Sequence, residues 1–293
     1  MNDAYRNNAV IRHLVRWAEL QQAIWVMILT SSQARADARV DVLSDYDVLL
    51  FVTDATAFAH NTMWLYTFGK VLVQFRDERE HNGVREYTRL ALYADGTKID
   101  FTIASLARLH AILASPGLPD DLDVGYRVLV DKETMTTNLP APTFRAYIPT
   151  VPTEEAYRAL VEEFWWETTY VAKHLWRDEL LPAKYSFESV IKLDLLRRML
   201  EWSIEIDHGW RLLPGVHGRG FKRNLSPEVW AVLEDTFAGA SIAENWRALF
   251  ATTALFRTTA AAVAQHLGYR YAHDLDADVT RYLKQISHLP HGK

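Results

Sequence analysis

Val10, Ile11, Leu14, Val15 and Ala18 recur at three-and-four spacing, so the chain opens on an amphipathic helix. The pattern then changes. Ala23 to Leu29 is a continuous apolar run of strand length, which predicts a strand buried on both faces. Asp45 to Val52 predicts a second strand, with Asp45 and Asp47 on one face and Tyr46 and Val48 on the other. Asp54 is placed to cap a helix running through Phe58, Met63, Leu65 and Phe68. Lys70 to Phe75 predicts a third strand. Arg85 to Tyr93 and Thr97 to Ile103 flank Ala94-Asp95-Gly96, and an Asp-Gly between two β-rich runs signals a hairpin. In its second arm Lys98, Asp100 and Thr102 share one face, and Ile99, Phe101 and Ile103 the other.

The second half is helical in pattern. Pro140, Pro142, Pro149 and Pro152 interrupt regular structure and mark a boundary between domains at 1–148 and 149–293. Thr153-Glu-Glu-Ala starts a long helix with acids in its first turn, where they suit the helix dipole. On it, Trp166, Tyr170, Lys173 and Arg177 form one stripe flanked by Glu163 and Glu167. Asp178 and Glu179 extend this helix until Pro182 stops it, and Ser186 starts the next, with Ile191, Leu195, Arg198 and Trp202 in register. Gly209 and the loop Pro214 to Gly220 match no phosphate-binding spacing and read as an interhelical connection. Ser226-Pro227-Glu228 starts a helix, and Ala260 to His266 lies in another that Gly268 ends.

Composition narrows the function classes. With 293 residues, 49% of them hydrophobic, the chain is long enough for two folded domains. A net charge of −5 gives no support to a nucleic-acid partner. The absence of cysteine excludes disulfides and thiolate metal sites. The start, Met1 to Arg6, lacks the apolar core of a signal peptide, and no early apolar run is long enough to span a bilayer. A soluble cytoplasmic protein with no membrane partner is expected; its oligomeric state is left open. His208, His217, His266, His273, His288 and His291 show no zinc-ligand spacing.

The acids carry the chemistry. Two carboxylates on adjacent same-face positions repel unless a cation lies between them, and Mg²⁺ favours such oxygen ligands with room left for substrate phosphates. The alternative is a pair of exposed loop acids. Asp100, on a later strand, joins Asp45 and Asp47 as a third carboxylate. Strand, Ser-containing turn, Asp-x-Asp strand and later Asp-bearing strand form the layout expected for two-metal phosphoryl transfer.

Thr30-Ser-Ser-Gln-Ala followed by Ser44-Asp-Tyr-Asp-Val-Leu-Leu resembles the signature of polymerase-β-type nucleotidyltransferases. Glu163-Phe-Trp-Trp, Tyr170 to Leu180, Leu196 to Trp202 and Leu267-Gly-Tyr-Arg-Tyr271 extend the resemblance to the aminoglycoside 6-adenylyltransferases, over nearly the whole chain. It implies an α+β chain: an N-terminal nucleotidyltransferase domain with a mixed sheet flanked by helices, and a C-terminal all-α bundle that binds the acceptor. It implies Mg²⁺-dependent transfer of AMP from ATP to a hydroxyl of an aminoglycoside such as streptomycin, releasing pyrophosphate. Asp45, Asp47 and Asp100 would hold the metal, with Asp100 or an acid of the helical domain accepting the hydroxyl proton. Ser31, Ser32, Gln33 and Lys173 would serve the nucleotide, and Glu163, Trp166, Glu167, Tyr170, Arg177 and Asp178 a cationic acceptor. One position departs from the pattern. Ser31 stands where the superfamily usually has glycine, a substitution without penalty if φ stays negative and of ~1 kcal/mol otherwise. It supports a different class of function, a non-enzymatic nucleotide sensor or partner-binding relative; an adenylyltransferase with another acceptor is the third alternative.

Overall fold

The first strand is an apolar run, which requires a partner strand on each edge and cover on each face. In the structure, a computed structural model describing residues 8–35, 37–81, 84–213 and 215–290, it has all four. Residues 1–7, Pro214 and His291, named above, lie outside the described residues. Helix α1 (Ala9–Leu20) is capped by Asn8, whose side chain accepts from the N–H groups of Val10 and Ile11, and it buries Ile11, Leu14, Trp17 and Ala18. Strand β1 (Ile24–Thr30) leads directly into a single helical turn, α2 (Ser31–Ala34). Strand β2 (Tyr46–Val52) starts one residue later than expected, because ladder pairing begins at Tyr46, opposite Ile99, and leaves Asp45 just outside.

The helix expected from Asp54 to Phe68 is broken. Asp54 caps α3 (Ala55–His60) as predicted, but Asn61 takes the N–H of Met63 on its side chain, and Met63–Phe68 continues as a separate 3-10 turn. Side-chain capture of a backbone donor is how Asn competes with helix continuation. Strand β3 (Val71–His81) runs well past Phe75; its charged second half is an edge strand, where charge is tolerated and guards against further pairing. Strands β4 (Val84–Tyr93) and β5 (Lys98–Ser105) form the expected hairpin, with Gly96 at φ 87° and Asp95 accepting from the N–H of Thr97. Helices α4 (Leu106–Ala114) and α5 (Asp120–Asp123) and strand β6 (Tyr126–Asp131) were not anticipated.

The six strands order as β3-β4-β5-β2-β1-β6, with β2 and β5 parallel and every other pair antiparallel, so the sheet is mixed. Leu29, Val48, Leu50, Phe101 and Ile103 pack on one face with α1 and the aromatic residues of the 3-10 turn. Val26, Ile28, Leu49, Phe51 and Ala104 pack on the other with Leu109 and Ile112 of α4.

The chain divides into two units, Met1–Tyr147 and Ile148–Lys293. In the second, Thr153 caps α6 (Glu154–Trp176) through the N–H of Ala156. This helix ends sooner than predicted: Asp178 turns left-handed, at φ 59°. Pro182 does not stop a helix but sits in the first turn of α7 (Leu180–Lys184), where its missing N–H is not needed. The chain then runs without interruption through a π-helical stretch, Tyr185–Leu196, into α8 (Arg197–His208), so Ser186 is interior rather than a helix start. Short α9 (Phe221–Asn224) and α10 (Pro227–Glu234), capped by Ser226, precede α11 (Ile242–Leu267), which Gly268 closes at φ 75°. Phe164 stacks on Phe256 at 3.5 Å, and the Arg257–Asp276 ion pair, joined by the Tyr271 hydroxyl, ties α11 to α12 (His273–His288). Among the described residues no helix is long and apolar enough to cross a membrane.

Candidate active site

The period of two that buries Leu49 and Phe51 on the α4 face also puts Asp47 on that face, at the open end of β2. The same rule on β5 puts Asp100 and Lys98 beside Thr102, on the face of Ala104. One rung crosses the sheet there: Leu90, Asp100, Asp47, Thr30 and Tyr126 pair in sequence. Thr30 is the last residue of β1, so the turn formed by α2 begins beside Asp47. Tyr46 points the opposite way, and its hydroxyl bonds the Asn8 side chain at 2.9 Å, tying the start of α1 to this strand.

The electrostatics are those of crowded acids. Burial, and then the charges of Asp100 and Asp45, push the Asp47 carboxyl up to about 6, against the pull of a hydrogen bond from the Ser31 side chain and the charge of Lys98. Asp100 is also raised, chiefly by burial, although Lys98 pulls it down. Its Oδ1 is buried with no hydrogen-bond partner. The Lys98 ammonium lies 2.7 Å from Asp45 Oδ2 and 3.3 Å from Asp100 Oδ2, and its own pKa is raised, first by the bond to Asp45. Alternation along β5 puts Lys98 on this face, and the structure adds it to the acids that the sequence nominates. The signal that could have found it is the same i, i+2 spacing that linked Asp45 to Asp47.

The turn after β1 is strained where the sequence raised the question. Ser31 has φ 59°, the left-handed region in which glycine is free and serine is not. Thr30 gives α2 no side-chain cap. Ser31 and Ser32 are half-buried, whereas Gln33 is buried at 7% exposure and has an interaction partner.

The expected stripe in the second unit exists on α6, on the side away from Phe164, Trp165, Thr168 and Val171. Trp166 is 62% exposed and meets Tyr170 edge-on at 6.0 Å, and the Lys173 ammonium sits 4.4 Å from the centre of the Tyr170 ring. Glu163 is exposed; Glu167 is half-buried, and burial, followed by the Glu163 charge, raises its carboxyl. Arg177 and Asp178 are exposed just beyond the helix end.

Asp45, Asp47 and Asp100 carry oxygen donors of the kind a hard divalent cation takes, and Asp100 Oδ1 is buried without a partner. Among the described residues no three acidic or histidine side chains converge as a ligand group, and an ammonium bridges two of the three acids.

The sequence profile of the family described as streptomycin adenylyltransferase matches residues 6–286. An aminoglycoside 6-adenylyltransferase of Bacillus subtilis (strain 168) is 30% identical over 269 residues, covering 90% of this chain and 92% of its own. One from Campylobacter jejuni is 29% identical over 261 residues, 88% of each chain. The crystal structure of an aminoglycoside 6-adenyltransferase from Bacillus subtilis covers 96% of this chain and 98% of its own at 27% identity, with a TM-score of 0.48.

Proposed function

We propose that this chain, which belongs to the streptomycin adenylyltransferase family, transfers AMP from ATP to a hydroxyl of an aminoglycoside such as streptomycin and releases pyrophosphate. It is a nucleotidyltransferase by family. The observation that carries the site assignment is the register pair Asp47–Asp100 on adjacent parallel strands, beside the turn that begins at Ser31.

Asp45, Asp47 and Asp100 would hold Mg²⁺, which, bound, would neutralise charge on the triphosphate. The chain's own residues do the rest. Backbone N–H groups at Ser31 and Ser32, with the Ser32 hydroxyl, offer hydrogen bonds to phosphate oxygens, while the Ser31 hydroxyl is held by Asp47. The acceptor hydroxyl attacks the α-phosphorus in line with the departing pyrophosphate, and a carboxylate takes its proton. Asp100 is the carboxylate proposed for that role, since it lies on the rung beside Asp47 at the open end of the two strands. On α6, Glu163 and Glu167 offer charge-assisted hydrogen bonds to ammonium or guanidinium groups, and Trp166 and Tyr170 offer ring faces to the same cations. Lys173 is the cation on that stripe proposed to serve the nucleotide. A soluble cytoplasmic location fits this chemistry.

The test is to incubate the purified protein with ATP, Mg²⁺ and a panel of aminoglycosides and to weigh the products. A gain of one AMP on streptomycin is expected. Binding of ATP without transfer to any acceptor would leave a nucleotide sensor as the better reading, and transfer to another acceptor would redirect the substrate.

A further inference from the structure

Lys98 holds two of the three acids. Its Nζ donates to Asp45 Oδ2 and Asp100 Oδ2, both charge-assisted bonds. The backbone at Lys98 is fixed, since β5 pairs with β4 on one edge and β2 on the other. The side chain is not: at 39% exposure its ammonium has solvent to retreat into, on a flexible four-carbon stem. An ammonium and a divalent cation compete for the same oxygen lone pairs. While the ammonium is on Asp45 and Asp100, the three acids do not converge as a ligand group.

We infer that Lys98 is a resident counter-cation. In the metal-free protein it holds Asp45 and Asp100 against their mutual repulsion, and a divalent cation must displace it to use their oxygens. The inference rests on the reading above that these acids hold Mg²⁺. It makes Lys98 a positioning residue, acting through the carboxylates rather than on the reacting atoms. Metal affinity is then set lower than the bare acids would give, and in return the two acids stay together when no metal is bound.

The test uses Mn²⁺ alone on nucleotide-free protein, with the free ion followed by electron paramagnetic resonance. Lys98→Gln should bind Mn²⁺ on the order of tenfold more tightly than wild type, because a cation close to the metal's ligands is removed. Lys98→Arg should keep wild-type affinity. In chelator Lys98→Gln should melt below wild type, and saturating Mn²⁺ should close most of the gap; a merely structural lysine would leave the gap unchanged. Equal or weaker Mn²⁺ binding by Lys98→Gln, tightening by Lys98→Arg as well, or no Mn²⁺ binding by any variant overturns the inference. AMP transfer is measured separately. Tightening without transfer sinks the proposed function and keeps this inference, and transfer without tightening does the reverse.

Discussion

Asp47→Asn should make the metal-free protein more stable above neutral pH while removing its activity. Asp47 ordinarily titrates at 3.8 but is pushed to about 6 in the fold, so the native state binds more protons than the unfolded state between those values. The contribution of Asp47 to stability must therefore fall as pH rises from about 4 to about 6 and stay at the lower level above. The gap is about two pH units, at ~1.36 kcal/mol each, and the side chain keeps some solvent contact, so the penalty is about 2 to 3 kcal/mol. Asparagine keeps the shape and an acceptor for the Ser31 hydroxyl but carries no charge. The variant should match wild type near pH 4 and exceed it by that amount at pH 7.5. The assay is urea denaturation in chelator at both pH values, read by hydrogen-exchange mass spectrometry on β2 and β5 peptides, which report on this unit alone. Parallel pH profiles for the two proteins would refute the reasoning, as would wild-type turnover by the variant with Mg²⁺ present.

The strain at Ser31 predicts that Ser31→Gly will be more stable than Ser31→Ala by about 1 kcal/mol in chemical denaturation, because both lose the hydroxyl and only alanine keeps a Cβ at positive φ; equal stabilities would mean that the left-handed turn is not there. Trp166→Ala should change stability by less than about 0.5 kcal/mol, since the ring is 62% exposed, yet raise KM for the acceptor several-fold with KM for ATP unchanged. An unchanged acceptor KM would remove the stripe from the acceptor site. At Asp276 burial alone would raise the carboxyl, but hydrogen bonds from Arg257 and Tyr271 hold it below its ordinary 3.8. Its stabilisation is present above about pH 4 and lost as pH falls further. Arg257→Ala should therefore cost about 2 to 3 kcal/mol at pH 7 in urea denaturation, less than for a fully buried pair because the arginine is 38% exposed, and the deficit narrows below pH 4; a constant deficit would assign the loss to packing instead.

Alternation along each strand was readable before any strand had a neighbour. It placed Asp47 and Asp100 on defined faces and set Ile99, Phe101 and Ile103 together on the face opposite Asp100, a face the structure packs into the core. Capping chemistry was equally local, and Thr153, Ser226, Gly268 and the Asp95-Gly96 turn all act as their residue types suggest. What could not be read was which strands would lie side by side. The parallel pairing of β2 with β5 joins segments separated by the whole β3–β4 excursion, and no spacing within either strand announces it. The Lys98 bridge to Asp45 depends on that pairing, so it was hidden too. Strand β6, Tyr126 to Asp131, is short, and Arg127 near its start and Asp131 at its end leave only Val128 to Val130 as an apolar run. Asp178 was read as helix because proline four residues on looked like the stop signal, whereas the chain had already turned left-handed and used the proline to begin again.

The rung on which Asp47 meets Asp100 has a consequence for how this protein can fail. A slip of β2 by one residue against β5 would not shift the carboxylate slightly; it would bring Val48 opposite Asp100 and drive Asp47 to the opposite side of the sheet. Such a species would be wholly inactive rather than a slow enzyme. Preparations of this protein should therefore differ in the fraction of competent molecules and not in the turnover of each one. Titrating competent sites would count correctly paired sheets, so that activity serves as a census of register in a topology whose long-range parallel pair is the step most exposed to error during folding.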